Sequence, residues 1–232
     1  MLLNRLVLPA ALALLPASVL AEPAVDIELV LAVGISGSVD AGEQELERAG
    51  LIQAFKDREL IEAIRALPLG LAVAVVAFAG AGQTRTVVGW RRLTDRHTVD
   101  DLAERIAAAF PVQFAYAHKT AIGDAVSWSM GELASNGFAG RAKIDVSGDG
   151  QSSDGEYPGP ARDRAVAAGI TINGLAILNE EPYLAEYYRR TVIGGPGAFV
   201  MSATGYESFA EAIRLKLLRE LVSGPVAERE AK

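Results

Sequence analysis

Leu29-Val30-Leu31-Ala32-Val33-Gly34-Ile35-Ser36-Gly37-Ser38-Val39-Asp40 is the stretch on which the fold turns. An aliphatic run too short to cross a bilayer stops at small residues and hydroxyls. This is the pattern of a fully buried strand that delivers a polar loop to a sheet edge. Asp40 and Glu43 then form a D-x-x-E capping box, so a helix begins directly after the loop. Strand, hydroxyl loop and helix in succession form a ligand site at the carboxyl end of a parallel strand.

The same alternation continues along the chain. Apolar residues at helical spacing (Leu46, Leu51, Phe55, Leu60, Ile64, Leu67) predict helix over 41–67. Lys56-Asp57-Arg58-Glu59 interrupts it, and Asp57 is placed to cap a second, shorter piece. Leu71 to Ala79 reads as a buried strand, Gly80 to Gln83 as a hairpin turn, and Thr84 to Trp90 as a β-branched strand antiparallel to it. Helix is expected over Asp100–Ala109, with His97 in a surface turn before it. Further helices are expected from Thr120 to Asn136, over Ala161–Ala168, over Tyr183–Arg190 and over Tyr206–Leu221. Strands are expected over Ala142–Val146, Ile170–Leu178 and Ala198–Ser202. The chain therefore reads as a three-layer α/β sandwich of Rossmann-like type. Its central sheet is mostly parallel with one antiparallel edge strand, and helices cover both faces.

Residues 1–21 are set apart. Arg5, the apolar run Leu6–Leu20 and the small-residue end Val19-Leu20-Ala21 predict a secretory signal peptide, with a domain over 22–222 and a tail over 223–232. No later apolar run reaches the ~20 residues of a membrane span, so an exported protein is expected, periplasmic or secreted in a Gram-negative bacterium. The chain has no cysteine, which excludes disulfides and thiolate chemistry. Half its residues are hydrophobic, consistent with one folded domain. The formal charge of −7 argues against a nucleic-acid partner.

Three polar loops stand at strand ends or helix starts: Gly34-x-Ser36-x-Ser38, Thr120-Ala121-Ile122-Gly123, and Asp149-Gly150. Hydroxyls and a carboxylate converging from separate segments suit a hard cation with oxygen ligands. Their order resembles the metal-ion-dependent adhesion site of von Willebrand factor type A (VWA) domains, "D-x-S-x-S … T-x-x-G … D-G", over nearly the whole domain. The chain is most similar to an exported bacterial VWA-like family of unknown function, through Ile35–Asp40, Val192–Phe199 and the helix Phe209–Leu218. The resemblance implies that Ser36, Ser38, Thr120 and Asp149 hold Mg2+ or Ca2+ (or Mn2+), and that a protein partner completes coordination with its own carboxylate. Position 34 is Gly where the resemblance calls for Asp, so one carboxylate is missing. The positive start of the helix at Asp40 is then opposed by less negative charge.

Phe114, Tyr116, His118 and Tyr157 flank these loops and are read as a binding rim. Asp124 is placed on a helix surface, and Asp154 is unassigned. The alternatives are a metal-free interaction scaffold, including one that binds an anion at the Ser36–Ser38 loop, and a serine hydrolase using Ser36. Gly34-Ile35-Ser36-Gly37-Ser38 lacks the final glycine of a nucleophile elbow, and no base is evident, so no enzyme is expected.

Overall fold

A computed structural model describes residues 23–36, 39–112, 114 and 119–222. The segments read as signal peptide and tail, and the candidate residues Ser38, Tyr116 and His118, lie outside the described residues. The elements run β1 (Ala24–Gly34), α1 (Ala41–Lys56), α2 (Arg58–Arg65), β2 (Leu71–Phe78), β3 (Thr84–Leu93), α3 (Arg96–Ala109) and α4 (Ile122–Ser135). They continue β4 (Ala139–Gly148), α5 (Pro158–Ala167), β5 (Thr171–Ile177), α6 (Leu184–Tyr187), β6 (Val200–Ala203) and α7 (Phe209–Val222).

Among the described residues the strands form one sheet in the order β3-β2-β1-β4-β5-β6. Only β3 is antiparallel, and it lies at an edge. β1 is central, pairing Val33 with Ala77 on one side and with Ser147 on the other. Alternate residues of β1 feed two cores. Ile27, Leu29, Leu31 and Val33 pack beneath α1, α2, α3 and α7, whereas Ala32 faces α4 and α5 with Phe78, Ile144 and Val146. Both faces are apolar, which is why the central strands read as unbroken aliphatic runs.

Several boundaries differ from the sequence reading, each for a local reason. α3 begins at Arg96, because Asp95 accepts from the Thr98 backbone N–H at 2.9 Å while the Thr98 hydroxyl accepts from the Asp95 N–H at 3.1 Å. His97 therefore sits in the first turn of a helix, not in a surface turn. The helix expected over Tyr183–Arg190 is instead a single α turn followed by a π-helical turn, Tyr188–Val192, which buries the Tyr188 ring. β4 starts earlier than expected, at Ala139, and β6 later, at Val200.

β4 carries polar side chains on its inner face. Lys143 and Asp145 meet α7, where the Lys216 Nζ lies 2.6 Å from Asp145 Oδ2 and 3.0 Å from Glu220 Oε1. The Lys143 Nζ reaches Glu220 Oε2 at 3.1 Å, and the Asn173 amide donates to both Glu220 oxygens at 2.7 and 2.8 Å. Two cations and two carboxylates thus balance inside the protein. Removing one member of such a group leaves a buried charge uncompensated. Lys216→Met is therefore expected to lower the unfolding free energy by about 3–5 kcal/mol. Arg65→Ala, which breaks an exposed pair with Glu62, should change it by about 0.5 kcal/mol or less. Urea denaturation of the two variants checks both.

Candidate functional site

The carboxyl ends of β1, β2 and β4 and the start of α4 meet at one edge of the sheet. Ile35 donates to Phe78 O at 2.9 Å, extending the β1–β2 pairing by one residue, and Val39 donates to Ser36 O at 2.8 Å to turn the loop back. α1 then starts with the expected capping box. Asp40 Oδ1 accepts from the Glu43 N–H and Glu43 Oε2 from the Asp40 N–H, both at 2.9 Å. Ser36 and Asp149, at the ends of adjacent strands, are 4% and 3% exposed.

Position 34 is crowded. A β-carbon there would lie 3.0 Å from Ser147 O, 3.1 Å from the Phe78 ring and 3.4 Å from Gly148 Cα. The glycine permits the close approach of three strand ends, and Phe78 stands where a side chain at 34 would have to pass.

Thr120 is held through its main chain. Its carbonyl accepts from the N–H groups of Ser153 (2.8 Å) and Asp154 (3.2 Å), and its N–H donates to the Ser153 hydroxyl at 3.1 Å. It does not cap α4: Ala121 holds that position, and the Ser152 hydroxyl accepts from the Ile122 N–H at 3.2 Å. The Thr120 hydroxyl is thereby left for other work. It lies 3.8 Å from where a β-carbon on Gly150, the residue after Asp149, would be. Gly123 explains the T-x-x-G spacing, since a β-carbon there would fall 2.1 Å from Glu156 O.

Asp124 is not on a helix surface as expected. It is half-buried and accepts from the Glu156 N–H at 2.7 Å and the Gly82 N–H at 3.4 Å, clamping two loops together. Asp154 does similar work on the hairpin, accepting from Ala81 N–H at 3.2 Å, and this bond holds its carboxyl below the usual range.

Of the rim candidates, Tyr157 is 58% exposed and caps α5. It borders a shallow depression of about 370 Å³ with Gln151, Tyr183 and Tyr187. Tyr183, 85% exposed, was not singled out from sequence, because its neighbours read as helix. Gln151 links this depression to the Asp149 loop, its amide donating to Glu181 Oε2 at 2.8 Å. Phe114 is turned into packing: it is half-buried against the core beneath α1 and α3, with the Arg85 guanidinium 5.1 Å from its ring centroid.

Sequence reasoning also missed Glu47. The α1 stripe facing the sheet is Glu47, Gly50, Leu51, Ala54 and Phe55, while Leu46, read as part of the apolar face, is 41% exposed. Burial, and after it the charge of Asp149, pushes the Glu47 carboxyl well above the usual range, with the Ser147 hydroxyl opposing weakly. Tyr206 is pushed above its ordinary range by burial and then by the charges of Glu47 and Asp149.

Among the described residues no three His, Cys, Asp or Glu side chains converge as a metal cluster. An adhesion-type donor set needs no such trio, since hydroxyls supply most of its oxygens. Buried Ser36 and Asp149 beside the Thr120 hydroxyl fit that chemistry.

The family described as "Protein of unknown function (DUF1194)" matches residues 24–225. The chain belongs to this family. Among solved structures the DUF1194 chain is similar to proximal thread matrix protein 1 from the mussel byssus, at 16% identity and TM-score 0.61, covering 87% of this chain and 47% of that one. A second structure of that protein is described as having a zinc-occupied MIDAS motif. The chain is also similar to a von Willebrand factor type A protein from Catenulispora acidiphila (17% identity, TM-score 0.57, 84% and 42% covered). The pilus adhesin SpaC from Lactobacillus rhamnosus GG is similar at 9% identity and TM-score 0.60, with 84% and 30% covered. The chain spans less than half the length of each of these, and at such identities the likeness establishes the VWA fold. No curated protein matches the sequence.

The crowding at position 34 yields a direct expectation. Gly34→Asp, which restores the resemblance on paper, should lower the unfolding free energy of the metal-free protein by about 1–3 kcal/mol, because Ser147 O and the Phe78 ring must both give way. Urea denaturation in the presence of chelator measures it.

Proposed function

We propose that this DUF1194 chain is an exported protein-binding module that engages its partner through a divalent cation held by Ser36, Ser38, Thr120 and Asp149. The observation that carries this reading is the convergence of Ser36, Thr120 and Asp149 on one sheet edge, with Thr120 freed from capping by Ser152. Mg2+, Ca2+ and Mn2+ are the ions that an all-oxygen set takes. When bound, the cation would offer an open position to a carboxylate on the partner. Tyr157 and Tyr183, exposed beside the Asp149 loop, supply aromatic area for the same contact.

The anion-binding alternative is disfavoured because two acidic side chains, Asp149 and Glu47, are buried there and an anion would add to their mutual repulsion. Hydrolysis at Ser36 is disfavoured too. β2 pairs Leu71 with Leu93, so α3 and its His97 start at the opposite edge of the sheet from Ser36. We therefore favour binding over catalysis. Among the described residues no helix is long and apolar enough to cross a membrane.

Metal titration by calorimetry after chelator stripping tests the reading. One cation per chain is expected for the unaltered protein, and none at the same concentrations for Asp149→Asn. A Tyr157→Ala, Tyr183→Ala double variant should bind the cation normally and lose partner capture in a metal-dependent pull-down. Equal binding by the unaltered protein and Asp149→Asn would refute the assignment.

A further inference from the structure

Glu47 is a buried carboxyl without a cationic partner among the described residues. It is 0% exposed, and neither of its oxygens closes a hydrogen bond of good geometry among the described residues, with the Ser147 hydroxyl standing near. The polar groups that face it are the Ser147 hydroxyl and Asp149 from the end of β4, Tyr206 from the turn before α7, and Glu43 one turn earlier on α1. The Tyr206 hydroxyl stands beside Asp149 and lies close enough to feel both carboxyls. Among the described residues no lysine, arginine or histidine contributes to this group.

The contrast with the rest of the interior is instructive. A few residues further along the same face of β4, each buried charge has an opposite one: Lys143 and Lys216 against Asp145 and Glu220. A buried carboxyl without a partner is costly to ionise. α1 turns Glu47 inward, on the stripe it shares with Leu51, Ala54 and Phe55, and leaves Leu46 at the surface. A cation beside Asp149 would answer both carboxylates at once.

Position 34 points the same way. It lies on the side of β1 that faces α4 and Phe78, and it is too tight for a side chain without displacement. A second carboxylate for a cation held here would therefore have to come from the α1 face of the sheet, where Glu47 and the Ser147 hydroxyl stand.

We infer that Glu47 is the second carboxylate of the cation site, reaching the ion held by Ser36 and Asp149 from α1, on the opposite face of the sheet from position 34. This rests on the cation-binding reading above. It assigns the affinity of the site to a helix residue outside the loop motif and makes Gly34 a compatible feature of the site.

The test is an Mn2+ titration of the purified, chelator-stripped protein, followed by the spin resonance of free Mn2+, with melting temperatures recorded with and without the ion. Glu47→Gln keeps shape and removes charge. It should weaken Mn2+ binding about tenfold to a hundredfold and shrink the Mn2+-induced rise in melting temperature, while the metal-free protein melts no lower than the unaltered one. Glu45→Gln, an exposed change on the same helix, should alter neither. If Glu47→Gln does not fold, Glu47→Asp keeps the charge but withdraws it by one methylene and should weaken binding severalfold. Unchanged Mn2+ affinity in the Glu47 variants, with loss in Asp149→Asn, would overturn the role of Glu47 and leave the cation site standing. Absence of Mn2+ binding by the unaltered protein would overturn both.

Discussion

The close approach of β1 to β2 and β4 at their carboxyl ends governs the upper edge of this protein. Gly34 lets the backbone of Ser147 and the ring of Phe78 come within ordinary contact of β1. That approach places Ser36 beside Asp149 and directs the chain into the capped start of α1. The site is therefore an outcome of strand packing first and of loop sequence second. In this chain a larger residue at 34 would have to displace the Ser147 carbonyl and the Phe78 ring.

The interior handles charge in two ways. Beneath α7, Lys143, Asp145, Lys216 and Glu220 form a closed set with Asn173 completing the hydrogen bonds. Beneath the start of α1, two acidic side chains, Glu47 and Asp149, are brought together, and each raises the cost of ionising the other. The first arrangement clamps a helix to the sheet. The second is costly in an isolated molecule and becomes reasonable once a cation is part of the structure, which is the physical link between the packing and a binding role.

Much of this was legible from residues alone. The aliphatic runs at Leu29–Val33 and Leu71–Ala79 specified buried parallel strands, and Asp40 with Glu43 and Asp57 with its following helix read as caps that the hydrogen bonds bear out. What was hidden has physical causes. Asp95–Thr98 is a capping box closed by a threonine where glutamate or glutamine is the familiar signal. Glu47 sits in Glu43-Gln44-Glu45-Leu46-Glu47-Arg48, a run whose composition resembles a solvated helix face, and only the rotation of α1 against β4 shows which side is inside. Lys143-x-Asp145 did alternate within a strand, yet its partners, Lys216 and Glu220, lie more than seventy residues away in sequence. Local pattern reports periodicity; it does not report which face a distant element will cover.

The central claim is that oxygens from β1, the start of α4 and the end of β4 hold one cation in a chain without the usual first carboxylate. The most direct measurement is a crystal structure grown with Mn2+, with anomalous data collected at the manganese edge. A single anomalous peak bonded to Ser36 and Asp149, with the Glu47 carboxylate turned toward it, is the predicted result. A site holding only water between Ser36 and Asp149 at millimolar Mn2+, with Glu47 hydrogen-bonded to its neighbours, would contradict the account.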